Sequence, residues 1–464
     1  MVEPFVPLRP GEIGMYNCGP TVYDWQHIGN LYAYIVADVA RRTFEYFGYR
    51  VTQVMNITDV GHIVDDADAG EDKMELAAKR EQKDPLELAA MYTRQFIIDR
   101  HKLNILDPHV IAKATDHIAQ MIELIRRLIE KGNAYVASDG VYFDVTTFPG
   151  YGTRLNAENP ADREAGARVE VNENKRHPAD FALWRAAKPG DLQQWESPWG
   201  RGNPGWHIEC SAMSMQYLGE TFDLHSGGED HLFPHHECEI AQSEAATGKQ
   251  FARYWLHVRF LRVEGQGMHK SIGNTYLLSQ LEEWGYDPLA FRLLALGVGY
   301  RKPLDFTRAG MDAAQNRLVK WRRTIAEACV ATGGRMTEPE PDFGVRAGFV
   351  NALADDFNTP RAVAAAEMAL DLAGSPDLAV RERALWLLFD MDRVLGLSLR
   401  DRASAADDLS VDEERLFDER ERARESGDYA KSDQIRADLL TKYGIQLKDT
   451  KEGTRWERVR PKGA

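Results

Sequence analysis

Residues 11–57 read GEIGMYNCGPTVYDWQHIGNLYAYIVADVARRTFEYFGYRVTQVMNI, and the pattern of this stretch decides the fold class. The segment 11–16 is typical of a strand, and a loop with two glycines and a proline follows it. Apolar residues then recur at helical spacing over 35–47, and Gly48 suits the position after a last helical turn. A second strand pattern follows at 50–58. A strand–helix–strand unit predicts a right-handed parallel crossover in an α/β sheet.

Polar residues stand at the two places where such a unit meets a ligand. The sequence NITD at 56–59 ends the second strand, at the carboxyl edge where open α/β sheets bind ligands. His27 and Asn30 stand at the helix start, where unpaired backbone N–H groups attract phosphate, and Gly29 allows close approach to the backbone. A polar helix start beside a glycine is more often a simple cap, so a phosphate site here needs support from motifs elsewhere in the chain.

Composition excludes several classes of protein. A chain of 464 residues predicts two to four domains with ample core. With 44% hydrophobic and 28% charged residues, it is typical of globular proteins rather than disordered or fibrous ones. There are 57 basic and 72 acidic residues, a net charge of −15, which argues against nonspecific coating of nucleic acid.

The cysteines and the apolar runs indicate the compartment. Cysteines stand at 18, 210, 238 and 329 with no C-x-x-C pair, too sparse for a disulfide framework, so we interpret them as reduced thiols. The first residues do not combine a basic start with an apolar run, so we expect no signal peptide. No stretch approaches the roughly 20 apolar residues that a membrane span needs. We expect a soluble, cytoplasmic protein that does not bind membranes.

The remaining chain divides into further units. Helical spacing over 113–131 predicts a helix, and AYVASDGVYFDV at 134–145 predicts two strands around an Asp-Gly turn. Apolar runs at 254–260 and 291–299 (FRLLALGVG) indicate strands, and the last unit is about 55 residues long. The predicted units are an α/β domain in two halves (1–104 and 200–310), an inserted turn-rich lobe (105–199), a helical bundle interrupted by DDFNTP (311–400), a linker (401–410) and a C-terminal unit (409–464).

The segment 265–274, GQGMHKSIGN, resembles a phosphate-binding loop. Its three glycines indicate mobility, and Lys270 and Ser271 offer a cation and a hydroxyl. A surface turn explains most such segments. Together with the HIGN turn at 27–30, however, the loop resembles the two signature sequences of class I aminoacyl-tRNA synthetases, which hold the triphosphate of ATP from two sides.

The segments GWHIECSAMS (205–214) and FPHHECE (233–239) carry metal-ligand residue types. Pro234 suits the first position of a helix, so His235 and Glu239, four residues apart, are predicted on one helix face. Zinc takes sulfur, imidazole and carboxylate ligands in tetrahedral sites. Spacing alone is weak evidence for a site, because lone cysteines are usually small buried hydrophobes.

Five motifs in this order, CGPTVYDWQHIGN, NITDV, GWHIECSAMS, FDLHSGGEDHLFPHHECEIAQ and HKSIGN, resemble the bacterial cysteinyl-tRNA synthetase family. The resemblance covers nearly the whole chain, including DFNTP and the tail. It implies a Rossmann-type parallel-sheet catalytic domain with an inserted lobe, an α-helical bundle and a small mixed C-terminal anticodon-binding domain. It also implies an ATP-dependent ligase that forms cysteinyl-adenylate from L-cysteine and ATP and charges tRNA(Cys), acting as a monomer.

The resemblance assigns roles by position. It implies one zinc ion held by Cys18, Cys210, His235 and Glu239, and an ATP site, with Mg²⁺, made by His27, Gly29, Asn30, Lys270 and Ser271. The cysteine pocket would consist of Gly19, Thr21, Thr58, Trp206, His225 and Asp230, with Asp230 on the ammonium group. Anticodon contacts would come from Arg424, Tyr429, Asp433 and Asp449, with the aromatic ring stacking on an unpaired base.

Zinc gives a chemical reason for the substrate. A cysteine thiol binds zinc as thiolate, whereas a serine hydroxyl is a far poorer ligand at neutral pH, so no editing domain is required. Cys238 stays open as an alternative ligand: it is about 60° round the helix from His235, against about 40° for Glu239. Glu239 is preferred because the family has a glutamate there.

The chain departs from the class signatures in both phosphate-binding segments. Asn30 replaces the last histidine of HIGH, and Gly267 and His269 replace the first lysine and the middle serine of KMSKS. One phosphate cation is lost, so we expect the loop to contribute less to the first step, partly restored if His269 is protonated. Two alternatives stay open: a ligase that joins cysteine to an amino-sugar inositol, which would lack the anticodon unit, and a non-catalytic RNA-binding paralogue.

Overall fold

The computed structural model describes residues 4–61, 73–155, 172–268, 272–340, 343–400, 411–443, 445–450 and 453–458. Its strands are β1 (Glu12–Asn17), β2 (Arg50–Ile57), β3 (Val110–Lys113), β4 (Ala134–Ala137), β5 (Gly140–Phe143), β6 (Phe181–Ala186), β7 (Gly202–Pro204), β8 (Phe222–Gly228), β9 (Ala252–Val258), β10 (Leu261–Val263), β11 (Gln266–Gly267), β12 (Leu304–Phe306), β13 (Ile445–Thr450) and β14 (Gly453–Arg458).

The helices lie between and after these strands. They are α1 (Ile28–Tyr46), α2 (Lys73–Glu81), α3 (Pro85–Lys102), α4 (Ile118–Glu130), α5 (Trp206–Leu218), α6 (Glu237–Thr247), α7 (Leu278–Glu283), α8 (Pro288–Leu296), α9 (Arg308–Thr332), α10 (Gly344–Ala354), α11 (Thr359–Ala373), α12 (Leu378–Leu395), α13 (Val411–Glu425) and α14 (Tyr429–Tyr443). Within the described residues, no helix is long and apolar enough to span a lipid bilayer.

A five-stranded parallel sheet of order β3-β2-β1-β8-β9 forms the central layer. The predicted β1–α1–β2 unit is confirmed, since β1 pairs in parallel with β2 and α1 connects them. Tyr16 in β1 is in register with Val54 in β2 and His225 in β8. The segments after β1, β2 and β8 therefore meet at one carboxyl edge, where a site is expected.

Helices cover both faces of the sheet. On one face α1 and α8 share a hydrophobic core that continues into the bundle α9–α12, with Trp321 and Leu388 almost completely buried in it. On the other face α4, α5 and α6 pack with β5 and β6 in a second core. The bundle and the catalytic layer therefore share one core.

The inserted lobe is a four-stranded antiparallel sheet of order β4-β5-β6-β7. The predicted hairpin is present, with Ala137 paired to Gly140 across the turn. The predicted range 105–199 also takes in β3, which belongs to the central sheet, and α4, which packs on its face.

The strand prediction for 291–299 is wrong, because residues 288–296 form helix α8. Local capping explains the helix: the Asp287 carboxylate accepts the Leu289 N–H at 2.8 Å, and Pro288 occupies the first turn. An apolar run of this length does not by itself distinguish a buried strand from a buried helix. The strand predicted at 254–260 is β9.

The C-terminal part matches the predicted helical bundle and mixed last unit. The first four residues of DDFNTP lie between α10 and α11, where Asp356 and Phe357 have φ of 55° and 52°, and its last two begin α11. The last unit packs α13 and α14 against the antiparallel pair β13–β14. The linker predicted at 401–410 lies outside the described residues.

Candidate active site

A polar cavity opens at the carboxyl edge of the central sheet. Four parts of the chain line it: the loop after β1 with the first turns of α1, the end of β2, the N-terminal half of α5, and the segment after β8. The lining residues that the sequence predicts are Cys18, Gly19, Thr21, His27, Asn30, Trp206, Cys210, Asp230 and His235. One cavity therefore joins most of the predicted metal, cysteine and phosphate residues.

The four predicted metal ligands form one buried cluster. One ligand atom from each of Cys18, Cys210, His235 and Glu239 lies within 4.8 Å of those of the other three. The His235 Nε2 atom is 3.0 Å from the Glu239 Oε1 atom. Cys18 directly follows β1 and Cys210 lies in α5, so the fold brings them together from nearly 200 residues apart.

The regular helix that carries Glu239 does not begin at Pro234 as predicted, but the spacing of His235 and Glu239 still brings their side chains together. Residues Leu232–His236 form an irregular helical turn in which Phe233 is extended, and the regular helix α6 begins at Glu237. Even so, the two side chains lie one turn apart on the same side, as their spacing predicts.

Electrostatics favours a cation in this cluster. A hydrogen bond with Cys18 lowers the pKa of Cys210 to about 6, against the opposing effect of burial. Burial works against a charged Glu239, but His225 and His235 lower its pKa to about 2. Burial also works against a charged His235, but Glu239 and Cys210 raise its pKa to about 10, so the acidic groups of the cluster already stabilise one positive charge. Two sulfurs, one imidazole nitrogen and one carboxylate oxygen are a donor set that suits zinc.

A second set of donors overlaps the first. The ligand atoms of Cys18, His225, His236 and Glu239 also lie within 4.8 Å of one another. The Cys18 Sγ atom is 3.3 Å from His236 Nε2, and the His225 Nε2 atom is 2.8 Å from Glu239 Oε2. His225 and His236 are fully buried and do not line the cavity.

Cys238 points away from both sets. Its Sγ atom lies 3.3 Å from the Tyr151 hydroxyl, and it belongs to neither donor set found among the described residues. The structure therefore favours a packing role for this thiol over the ligand role that the sequence left open.

The residues predicted for the cysteine pocket fall into two groups. Gly19, Thr21, Trp206 and Asp230 line the cavity. Trp206 packs on the ligand ring of His235, with ring centroids 4.3 Å apart. Any side chain at position 19 is excluded, because its Cβ would lie 1.7 Å from a backbone oxygen of the neighbouring strand.

Thr58 and His225, the other two predicted pocket residues, lie behind the cavity wall. The Thr58 hydroxyl donates to Glu209 Oε2 at 2.9 Å, and His225 contacts Glu239 as described above. Both are buried. Here they support neighbouring side chains and do not face the cavity.

Most of the backbone N–H groups at the start of α1 already have hydrogen-bond partners. The His27 and Asn30 side chains cap each other's backbone N–H groups at 3.2 and 3.1 Å, and the Ile28 N–H donates to the Tyr276 carbonyl at 2.9 Å. Of the four N–H groups at this start, that of Gly29 alone has no partner among the described residues. The fold therefore already uses three of these four N–H groups, which leaves that of Gly29 for the predicted phosphate contact.

The second signature segment packs against the first. A Cβ at Gly29 would lie 2.5 Å from Cε of Met268, so a larger residue at this position would force the end of the Met268 side chain to move. The Asn274 side-chain amide donates to the Gly267 carbonyl at 2.9 Å, closing the loop at its base. Lys270 and Ser271 lie outside the described residues, so their predicted roles remain predictions.

Several cavity residues were not singled out from the sequence. They are Pro20, Tyr23, Asp24, Trp25, Gln26, Tyr34 and His231, whereas Asn56, which also lines the cavity, belongs to the polar cluster predicted at the end of the second strand. Most of them lie in the loop 18–30 that was already quoted as a motif, so treating every polar residue of that loop as a candidate would have found them.

Comparison with known proteins decides the family. Residues 4–316 match the family model described as tRNA synthetases class I (C) catalytic domain, and residues 406–456 match the model described as cysteinyl-tRNA ligase anticodon binding domain. A cysteine–tRNA ligase of Chlorobaculum tepidum is 44% identical, over 98% of this chain and 96% of its own length. One of Thermus thermophilus is 45% identical over the same shares. The chain belongs to the cysteinyl-tRNA synthetase family.

Solved structures agree on the fold. A methionyl-tRNA synthetase of Mycobacterium tuberculosis, solved with methionyl-adenylate, matches with a TM-score of 0.58 at 16% identity, over 85% of this chain and 93% of that one. The LeuRS of a tRNA complex from Agrobacterium radiobacter K84 matches with a TM-score of 0.63 at 12% identity, over 88% and 87%. The class I synthetase fold predicted for this cysteinyl-tRNA synthetase family member is confirmed.

Two of the four predicted anticodon residues contact each other. The Asp449 carboxylate, on β13, accepts from Arg424 at 2.5 Å and from Arg420 at 2.8 Å, and Arg436 also contacts it. Arg420 is almost completely buried, whereas the side chains of Arg424 and Arg436 are partly exposed. Asp449 therefore gathers three guanidinium groups.

The other two predicted anticodon residues lie on α14. Tyr429 begins the helix and is 66% exposed, an unusual degree of exposure for a large aromatic side chain. Asp433 is also exposed and follows one turn later, on the same side of the helix. An exposed ring with a carboxylate beside it suits stacking on a base and reading of its edge.

Proposed function

We propose that this chain activates L-cysteine with ATP and transfers the cysteinyl group to the 3′ end of tRNA(Cys). The observation that carries the proposal is the buried cluster Cys18, Cys210, His235 and Glu239, next to the His27–Asn30 helix start in one cavity. A thiol-binding cluster beside a phosphate-binding helix start supports cysteine and ATP as the two substrates. The anticodon-domain match at 406–456 supports tRNA over an amino-sugar inositol as the acceptor.

The first step joins cysteine to the α-phosphate of ATP. A carboxylate oxygen of cysteine forms a bond to phosphorus, and pyrophosphate leaves with the electron pair of the broken P–O bond. Asp230 on the cavity wall binds the ammonium group, and the Gly29 N–H with the side chains of His27 and Asn30 contacts phosphate oxygens. These groups position the reactants and stabilise charge, so no covalent nucleophile is needed.

The metal cluster selects the amino acid. Cys18, Cys210, His235 and Glu239 would hold zinc, which when bound supplies a Lewis-acid site that prefers a thiolate to a hydroxyl. Cys210 and His235 line the cavity, so the cluster has an open side toward the substrate. Trp206, packed on His235, forms an apolar wall beside that opening.

The second step transfers the acyl group to a terminal ribose hydroxyl of the tRNA. That hydroxyl attacks the carbonyl carbon, the new ester forms, and AMP leaves. The exposed Tyr429 and Asp433 and the partly exposed Arg424 of the last unit would bind the anticodon. We further propose that Mg²⁺ accompanies ATP, that Lys270 and Ser271 complete the phosphate site, and that the enzyme works as a cytoplasmic monomer. The proposed domain ranges are those predicted, except that β3 belongs to the central sheet and not to the inserted lobe.

Cysteine-dependent ATP–pyrophosphate exchange, measured with and without tRNA charging, tests the proposal. Exchange and charging are both expected. No exchange would leave an RNA-binding protein, and exchange without charging would point to another acceptor. Zinc content tests the metal: Cys18→Ser should lower it, whereas Cys329→Ser, in the bundle helix α9, should not. Equal zinc content in the two variants would contradict the assigned site.

A further inference from the structure

Each of the two adjacent histidines beside the metal cluster is paired with an outer histidine. The His235 Nδ1 atom is 2.8 Å from Nδ1 of His207, which lies in α5. The His236 Nδ1 atom is 2.8 Å from Nε2 of His257, which lies in β9. The Nε2 atoms of His235 and His236 face the cluster, at 3.0 Å from Glu239 and 3.3 Å from Cys18. Both inner rings therefore have one end at the cluster and the other on a second imidazole.

Hydrogen-bond chemistry gives these two pairs opposite polarity. A metal-bound imidazole nitrogen carries no proton, so a His235 that binds zinc through Nε2 must carry its proton on Nδ1. That N–H donates to His207, whose Nδ1 must accept. His236 is at hydrogen-bond distance from the Cys18 sulfur, and an Nε2–H that donates to a thiolate leaves its Nδ1 to accept from His257.

We propose that His207 is a positioning residue, which fixes the tautomer and ring orientation of His235 and thereby makes it, and not His236, the zinc ligand. The inference rests on the zinc site of the proposed function. It answers a question that the cluster leaves open, because Cys18 and Glu239 can complete a donor set with Cys210 and His235 or with His225 and His236. Of the residues that the two sets do not share, only Cys210 and His235 line the cavity.

The surroundings of His207 suit this role. Its ring is buried and packs edge-on against Phe181, with ring centroids 5.6 Å apart. Its carbonyl accepts from the Gln242 side chain in α6 at 2.9 Å, so the backbone of α5 at this point is tied to the helix that carries Glu239. A buried ring packed on Phe181, on a backbone that is tied to α6, places its Nδ1 atom at a fixed point.

Zinc release from the full-length, zinc-loaded protein to an excess of a colorimetric chelator tests the proposal. His207→Leu removes the acceptor, and removal of such an outer partner typically costs about 10–100-fold in metal affinity, so release should accelerate by about that factor. His207→Asn keeps an acceptor near the Nδ1 position, so its rate of zinc release should stay close to that of the unmodified protein. The matched control His257→Leu removes the partner of His236 and should leave the release rate unchanged.

The outcomes are distinct. Faster release from His257→Leu with an unchanged His207→Leu would mean that His236 is the ligand, and would overturn the proposal. Equally faster zinc release from both leucine variants also overturns the proposal, because the effect would then come from a general loss of packing. Unchanged release from both variants overturns it too, because His207 would then have no effect on the site. An unmodified protein that binds no zinc overturns this inference together with the zinc site of the proposed function, whereas bound zinc with an unmoved rate overturns the inference alone.

Discussion

Replacing Asp38 by asparagine should destabilise the shared core of the catalytic domain and the helical bundle. Asp38 lies in the middle of α1 and is 2% exposed. Its Oδ2 atom accepts from Arg292 at 2.5 Å and from Arg42 at 2.7 Å, and its Oδ1 atom accepts the Leu106 N–H at 2.9 Å. One buried carboxylate thus balances two buried guanidinium groups.

The two arginines carry the contact to the bundle. Arg292 donates to the Leu395 carbonyl at 2.6 Å and to the Leu103 carbonyl at 3.0 Å, and Arg42 donates to the Arg393 carbonyl at 3.1 Å. Asparagine keeps the shape of Asp38 and the acceptor for Leu106, but it removes the negative charge. Removing one partner of a buried ion pair costs about 3–5 kcal/mol, because the remaining charge stays buried.

Thermal unfolding followed by circular dichroism measures the effect. At about 2 °C per kcal/mol for a large domain, the main transition should fall by about 6–10 °C. The control is Asp355→Asn: Asp355 pairs with Arg361, both side chains are well exposed, and the expected shift is within about 0.5 kcal/mol. An Asp38→Asn transition as close to the unmodified protein as that of the control would refute the reasoning.

The pH dependence of this difference has a definite sign. Burial opposes ionisation of Asp38, but Arg292 and Arg42 outweigh it and hold its pKa below the ordinary value. A lowered pKa stabilises the fold above the unfolded-state value of about 3.9, and this contribution is lost as pH falls through the folded-state value. The gap between the unmodified protein and Asp38→Asn should therefore be full at neutral pH and shrink below about pH 4.

Three further predictions concern the substrates. Lys270→Ala should slow cysteine-dependent ATP–pyrophosphate exchange by about 10–100-fold, the worth of one hydrogen bond to a charged group, and an unchanged rate would contradict the assignment of the loop. Gly29→Ala should slow exchange because its Cβ meets Met268, and adding Met268→Ala should restore part of the rate; no rescue would mean that this contact does not position the loop. Asp449→Asn should raise the KM for tRNA in charging and leave exchange unchanged, because the three arginines around it lose their common partner. An equal loss in exchange would show that the last unit acts on the cysteine site.

Local patterns predicted the elements that local interactions determine. The unit β1–α1–β2 follows from its alternation of strand and helix patterns, and the hairpin at Asp139-Gly140 follows from its turn residues. The strand prediction for 291–299 fails because the apolar run there lies in a helix, whose start is marked by the Asp-Pro cap in front of it. Capping residues such as Asp before Pro indicate where a helix starts, whereas a short apolar run indicates only that the segment is buried.

The residues of the donor cluster can be predicted from the sequence, but the contacts between their atoms cannot. Residue types and the family resemblance identified Cys18, Cys210, His235 and Glu239, and the fold brings them together. No spacing rule predicts that His207, 28 positions before His235, meets it at 2.8 Å, or that Arg292 meets Asp38 across 254 positions. Such contacts depend on how whole helices pack, which sequence periodicity does not encode.

Helix α1 links the two ends of this architecture. Its first turn holds Gly29, which we propose contacts phosphate, and Asp38 lies nine residues further on, about 14 Å along the axis at 1.5 Å per residue. The Ile28 N–H is held by the Tyr276 carbonyl at one level and Asp38 by Arg292 at the other. Because a regular helix between two such anchors cannot slide without breaking one of them, the bundle contributes to the position of the phosphate site without touching it. The cost of losing Asp38 is therefore expected in the stability of the fold first, and in exchange only through displacement of the start of α1.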